Sequence, residues 1–184
     1  MKFIPQSIPE VVLIEPKIHG DDRGYFSVTF RQDLFEEAIG YKVNFIQDNE
    51  SKSNKVVLRG LHYQLPPYTQ AKLVRVIEGS VLDVAVDFRE GSKSYGQHVK
   101  VVLSAKNKRQ LFIPRGFAHG YLVLSDEATF VYKVDNEYEL AAERTLAWND
   151  DSLSIDWGLG EALPLISEKD ARGLSLQQVV YESK

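Results

Sequence analysis

Leu58-Arg59-Gly60-Leu61-His62-Tyr63-Gln64, followed by Gln70-Ala71-Lys72-Leu73-Val74-Arg75-Val76-Ile77-Glu78-Gly79, decides how the chain is read. Both segments are short, mainly apolar and alternating in the manner of strands, so residues of like parity share a face. Gly60, His62 and Gln64 form one row; Lys72, Val74 and Val76 form another. An imidazole and an ammonium on faces flanked by valine and leucine are costly to desolvate unless they have partners or a chemical use. Taken singly, His62 could be a satisfied core histidine and Lys72 a side chain snorkelling to water.

Short strands between turns surround this pair. They are expected near 45–48, 57–64, 71–78, 80–88, 97–104, 109–113, 120–124, 128–135 and 143–148. Gly79-Ser80, Glu90-Gly91-Ser92, Asn107-Lys108, Pro114-Arg115-Gly116 and Ser125-Asp126 supply the turns. Many short strands at this spacing predict an all-β antiparallel sandwich or barrel. The N-terminal residues read as an extended arm, with Val11-Val12-Leu13-Ile14 a strand bounded by Pro9 and Pro16. Gly20 to Gly24 is a turn cluster, and Tyr25 to Phe30 alternates as a strand. Asp33-Leu34-Phe35-Glu36 has capping-box spacing, and Gly40 can close the helix that follows. Residues 149–184 are mixed, with turns at Gly158 and Gly160 and a terminal helix near 168–180. No repeat or linker divides the chain, so residues 1–184 are expected to form one domain.

Composition narrows the function. The 184 residues can bury a substantial core. With a net charge of -4 and no basic stripe, nucleic-acid binding is not expected. Cysteine is absent, which removes disulfides and thiolate chemistry. The N-terminus lacks the apolar run of a signal peptide, and no stretch approaches a membrane span, so a cytoplasmic protein is expected.

Ile113-Pro114-Arg115-Gly116-Phe117-Ala118-His119-Gly120 contains Pro-x-Gly-x-x-His, which resembles the second motif of the cupin jelly rolls. The first cupin motif carries His-x-His, then an acidic residue, then glycine. The matching positions here are His62, Gln64, Lys72 and Gly79. Gln64 is a poorer transition-metal ligand than imidazole, and Lys72 would repel a divalent ion. An ammonium beside a neutral histidine suits different chemistry, in which it holds a developing oxyanion while the imidazole removes a proton next to a carbonyl.

The whole pattern resembles the dTDP-4-dehydrorhamnose 3,5-epimerases over about residues 10–170. The blocks are Asp22 to Phe26, Gln47 to Ser53, Leu58 to Gln64, Lys72 to Val76, Asp83 to Asp87, Ile113 to Gly120, Trp148-Asn149-Asp150 and Ser167 to Asp170. The resemblance implies a cupin jelly roll with a few short peripheral helices and no cofactor or metal. It implies a dTDP-sugar substrate, dTDP-4-dehydro-6-deoxyglucose, inverted at C3 and C5 on the way to dTDP-L-rhamnose. By the same resemblance His62 is the base, Asp170 its orienting carboxylate, Lys72 the enolate clamp and Tyr132 the acid on the far face. His119 and Asp83 would support the enolate. Arg23, Arg59 and Lys169 would meet the nucleotide and its diphosphate; Gln47, Asn49 and Glu143 would make polar contacts; Tyr138 would stack on thymine. The N-terminal arm, residues 1–30, would cross to a second copy in a homodimer with shared sites. His19 and His98 read as surface residues.

The chain departs from the family pattern at Val28, where glutamate is usual, and at Gly158, where proline is common. The first bears on nucleotide fit. Three other readings stay open: an epimerase that inverts one centre or uses another 4-keto sugar, a metal-dependent cupin with His62 and His119 as ligands, and a non-catalytic sugar-binding cupin.

Overall fold

The computed structural model describes residues 1–182. Its strands are β1 (Lys2–Pro5), β2 (Val12–Glu15), β3 (Ile18–Asp21), β4 (Gly24–Ser27), β5 (Gln47–Asn54), β6 (Leu58–Gln64) and β7 (Lys72–Glu78). They continue as β8 (Ser80–Asp87), β9 (His98–Ser104), β10 (Gln110–Ile113), β11 (Phe117–Val123), β12 (Glu127–Val134) and β13 (Glu143–Thr145). Three short helices, α1 (Gln32–Ile39), α2 (Glu168–Ala171) and α3 (Leu176–Glu182), lie among them. One sheet has the order β1-β2-β10-β7-β12-β5 and the other β13-β6-β11-β8-β9; β3 and β4 pair as a separate hairpin. All these strand pairs are antiparallel. This is the all-β jelly roll that the strand spacing and the Pro-x-Gly-x-x-His turn predict.

Period-two alternation sorts the side chains into three apolar layers. Val74 and Val76 of β7 join Leu111, Ile113, Phe117, Tyr121 and Phe130 in the layer between the sheets. Leu73 points the other way and packs with Val12, Ile14, Phe35 and Phe112 under α1. On the far side of the second sheet, Leu58, Leu61 and Leu122 pack against Leu153, Trp157, Leu176 and Val179 of the C-terminal segment. That segment therefore covers an apolar sheet face.

Several local expectations are corrected. Asp33 does not cap α1: the N-cap is Arg31, whose side chain makes no cap, and Asp33 pairs with the Arg31 guanidinium instead. Gly40 does close the helix, at φ 84°. β5 runs on to Asn54 although Asp48-Asn49-Glu50-Ser51-Lys52-Ser53 carries no apolar signal. It is an edge strand bonded only to β12, so it needs no second buried face. β2 is buried on both faces, with Leu13, joined by the preceding Val11, between the sheets and Val12 and Ile14 beneath α1, and it pairs with β10 of its own sheet. The expected terminal helix is two helices, α2 and α3. His98 is half-buried rather than on the surface. Gly158 sits at φ 73°, a value that proline, fixed near -65°, cannot adopt.

Candidate active site

A bulge and a pair of glycines place the key histidine. The register between β6 and β11 slips between His119 and Tyr121. Gly60 lies there at φ 119°, and a Cβ on it would come within 2.6 Å of the Gly120 Cα. The slip changes the parity of β6: Leu58 and Leu61 both face the C-terminal segment. His62 and Gln64 consequently line a cavity of about 110 Å³ between the sheets. Lys72 of β7 and Tyr132 of β12 line the same cavity from the other sheet. Tyr138 and Glu143 complete its rim.

The Nε2 atom of His62 lies 2.6 Å from Oδ1 of Asp170, which is 3% exposed. An ionised carboxylate can only accept, so in the neutral ring the proton resides on Nε2 and the lone pair on Nδ1. Asp170 is itself set by α2, where the Ser167 hydroxyl accepts from its backbone N–H. Burial lowers the His62 pKa from its ordinary 6.5, against the opposing pull of Asp170. The ring is therefore neutral at neutral pH and available as a base. Burial likewise pushes Lys72 down to about 8, against the attraction of Asp83 and Glu143. It retains most of its charge at neutral pH. The Tyr132 hydroxyl is pushed up, chiefly by burial and then by Tyr121, so it holds its proton.

Behind these groups, His119 Nε2 lies 3.0 Å from Oδ2 of the fully buried Asp83. At the rim, Lys169 Nζ donates to Glu143 Oε1 at 2.8 Å and the Tyr138 hydroxyl donates to Glu143 Oε2 at 3.1 Å. Glu143 thus joins two of the expected binding residues. Gln47 and Asn49 bond to each other at 2.7 Å on β5, and Asn49 stands opposite Tyr132. Arg59 is exposed and donates to Ser53 Oγ at 2.9 Å.

Of the expected binding residues, Gln47, Asn49, Arg59, His119 and Lys169 do not line this cavity: Lys169 reaches its rim through Glu143, and Asn49 lines a neighbouring pocket that shares Tyr132. Nor does the fold bring Arg23 there. It sits at the tip of the β3–β4 hairpin, bonded to Asp21 and lining a separate depression with Tyr25 and Phe26. Val28 is exposed just beyond that hairpin. Sequence reasoning missed the apolar wall, Phe88 and Phe117; Gln64, expected in one row with His62, does line the cavity beside it. For the metal reading, no group of three or more His, Cys, Asp and Glu among the described residues is placed to hold an ion.

A family model described as dTDP-4-dehydrorhamnose 3,5-epimerase matches residues 5–178. The chain is 57% identical to the dTDP-4-dehydrorhamnose 3,5-epimerase of Shigella flexneri, over 98% of this chain and 99% of that relative. It is similar to the dTDP-6-deoxy-D-glucose-3,5-epimerase of Legionella pneumophila solved in complex with dTDP-4-keto-L-rhamnose. That match has TM-score 0.94 and 48% identity over 99% of this chain and 96% of the other. A 3′-monoepimerase of Streptomyces bikiniensis, solved with dTDP-quinovose, matches with TM-score 0.90 and 33% identity over 97% and 89%. Matches spanning both sheets and the whole cavity leave one conclusion: the chain belongs to the dTDP-4-dehydrorhamnose 3,5-epimerase family.

Proposed function

We propose that the protein inverts C3 and C5 of dTDP-4-dehydro-6-deoxyglucose, giving dTDP-4-dehydro-L-rhamnose. The observation that carries this reading is that His62 on one sheet faces Lys72 and Tyr132 on the other across one cavity. The C4 ketone acidifies the hydrogens on C3 and C5. His62 takes one of these protons and becomes an imidazolium, steadied by Asp170. The electron pair moves onto the C4 oxygen, where the Lys72 ammonium meets it. Tyr132 delivers its proton to the carbon from the opposite face, and the centre is inverted. Solvent then returns a proton to the tyrosinate and takes one from the imidazolium. His119 and Asp83 support the enolate side.

The nucleotide half is assigned to the rim, where Tyr138 stacks on the base and Lys169 and Glu143 make polar contacts, with Arg59, Gln47 and Asn49 adding polar contacts from β5 and β6 outside the cavity lining. We place Arg23 in the site of a second copy, since its hairpin stands apart from the chain's own cavity and exposes Tyr25 and Phe26. This makes the protein a homodimer, working in the cytoplasm. Residues 1–184 act as one domain, and no metal or cofactor takes part.

The test is incubation with dTDP-4-dehydro-6-deoxyglucose in deuterated water. Deuterium is expected at both C3 and C5, with His62→Ala inactive. Label at a single carbon supports the monoepimerase reading, which shares the same acid and base. No label from the intact protein ends the proposal for this substrate.

A further inference from the structure

Gln64 occupies the cavity wall two residues after the proposed base, yet nothing in the chemistry above uses it. Its side chain is 6% exposed and its amide is fully engaged with backbone. Nε2 donates to the carbonyls of Tyr68 at 2.7 Å and Glu137 at 3.0 Å, while Oε1 accepts from the N–H of Glu139 at 2.7 Å. These partners fix which end of the amide is nitrogen, because the reversed orientation would set an NH₂ against an N–H and an oxygen against two carbonyls. The two bonds to Glu137 and Glu139 bracket Tyr138.

The same seam is reinforced from its other end. Gln70 Nε2 donates to the Asn136 carbonyl at 2.9 Å, and Asn136 Nδ2 donates to the Pro67 carbonyl at 2.9 Å. Tyr138 is 53% exposed, so its ring has little packing of its own to hold it. Its position comes from the backbone beneath it and from its hydroxyl bond to Glu143.

We propose that Gln64 is a positioning residue: by gripping the backbone on both sides of Tyr138 it fixes the ring at the cavity mouth, and so sets nucleotide affinity rather than proton transfer. This rests on the proposed dTDP-sugar substrate. No other side chain of similar size offers two donors and an acceptor in this arrangement. Glutamate has the shape but, ionised, presents only acceptors to two carbonyls; leucine has the bulk and neither.

The experiment measures dTDP binding by calorimetry for the wild-type protein, Gln64→Glu, Gln64→Leu, Tyr138→Ala and the Gln64→Leu/Tyr138→Ala double variant. Amide exchange across 135–140 is followed in parallel, and melting curves confirm folding. Both Gln64 variants should bind dTDP about tenfold or more weakly, on the scale of one lost base–aromatic stack. The amides of 137–139 should exchange faster. The double variant should bind no worse than Tyr138→Ala, because the two residues act through one ring. In turnover, KM should rise by the same factor while kcat and the pH profile stay in place. Unchanged exchange, or a double variant whose loss is the product of the single losses, overturns the proposal. Wild-type protein that fails to bind dTDP overturns the substrate reading and the nucleotide role with it; wild-type binding that Gln64→Leu leaves intact overturns the positioning role alone.

Discussion

Replacing Asp170 by asparagine separates the charge of the proposed dyad from its shape. The carboxylate is buried, and its oxygen lies 2.6 Å from the His62 ring nitrogen. When His62 accepts a proton, the two groups become opposite charges with centres about 4 Å apart. At an effective dielectric of about 20 that attraction is worth about 4 kcal/mol. An asparagine oxygen can still accept from Nε2–H, so much of the tautomer and ring orientation survives. What is lost is the stabilisation of the imidazolium formed when His62 takes the proton, which lowers kcat in full if that transfer limits turnover. The expected fall in kcat is therefore about 10²- to 10³-fold. KM should change little, because Asp170 lies beneath the ring and does not line the cavity. The pKa of His62 should drop further, since Asp170 is what opposes the lowering by burial. Initial rates of epimerisation followed by NMR across pH give both numbers, with a melting curve as the control for folding. A folded variant with kcat within tenfold of the wild type, or with its acid limb moved upward, would refute the charge argument.

Other outcomes follow from the same geometry. The pH profile should rise below pH 6.5, as His62 becomes neutral, and fall near 8, as Lys72 loses its charge. Lys72→Arg should remove the fall near 8, because a guanidinium stays charged. Titration of Lys72 also has a stability sign: between about 8 and 10.5 the unfolded chain binds the proton that the folded chain has released. Its contribution to stability therefore rises with pH there, which denaturant titrations of wild type and Lys72→Arg can compare. Tyr132→Phe should keep some wash-in of deuterium through His62 while inversion, read from product stereochemistry, falls about 10²-fold or more. Away from the site, Phe35→Ala should cost about 3–5 kcal/mol in urea unfolding, since Phe35 is 1% exposed and packs against Phe30, Phe45 and Phe112.

The strands with a buried face announced themselves. In β7 and β12 the alternation that sends Val74 and Phe130 inward also sends Lys72 and Tyr132 to the cavity, so parity puts both side chains on inward rows, whereas the role of acid for Tyr132 comes only from the family resemblance. Asp170 could not, because it comes from a four-residue helix 108 positions away from His62. Only family resemblance linked them. β5 was truncated because an edge strand facing water has no hydrophobic signature. Asp33 and Glu36 have the spacing of a cap, but the Arg31 guanidinium claims Asp33, while Glu36 accepts from Gln32 and the Val43 N–H. Gln64 was legible as a missing ligand; what it holds depends on loops that meet only in the folded chain.

The anchoring of Gln64 also bears on how such a barrel could evolve. Exchanging that glutamine for histidine would restore a familiar pair of imidazoles in one step. The same step would cut the struts under Tyr138, and Lys72 would still repel the incoming ion. With the substrate platform hung on position 64 and an ammonium at position 72, turning this barrel into a metal site takes at least two coordinated substitutions and a new support for Tyr138.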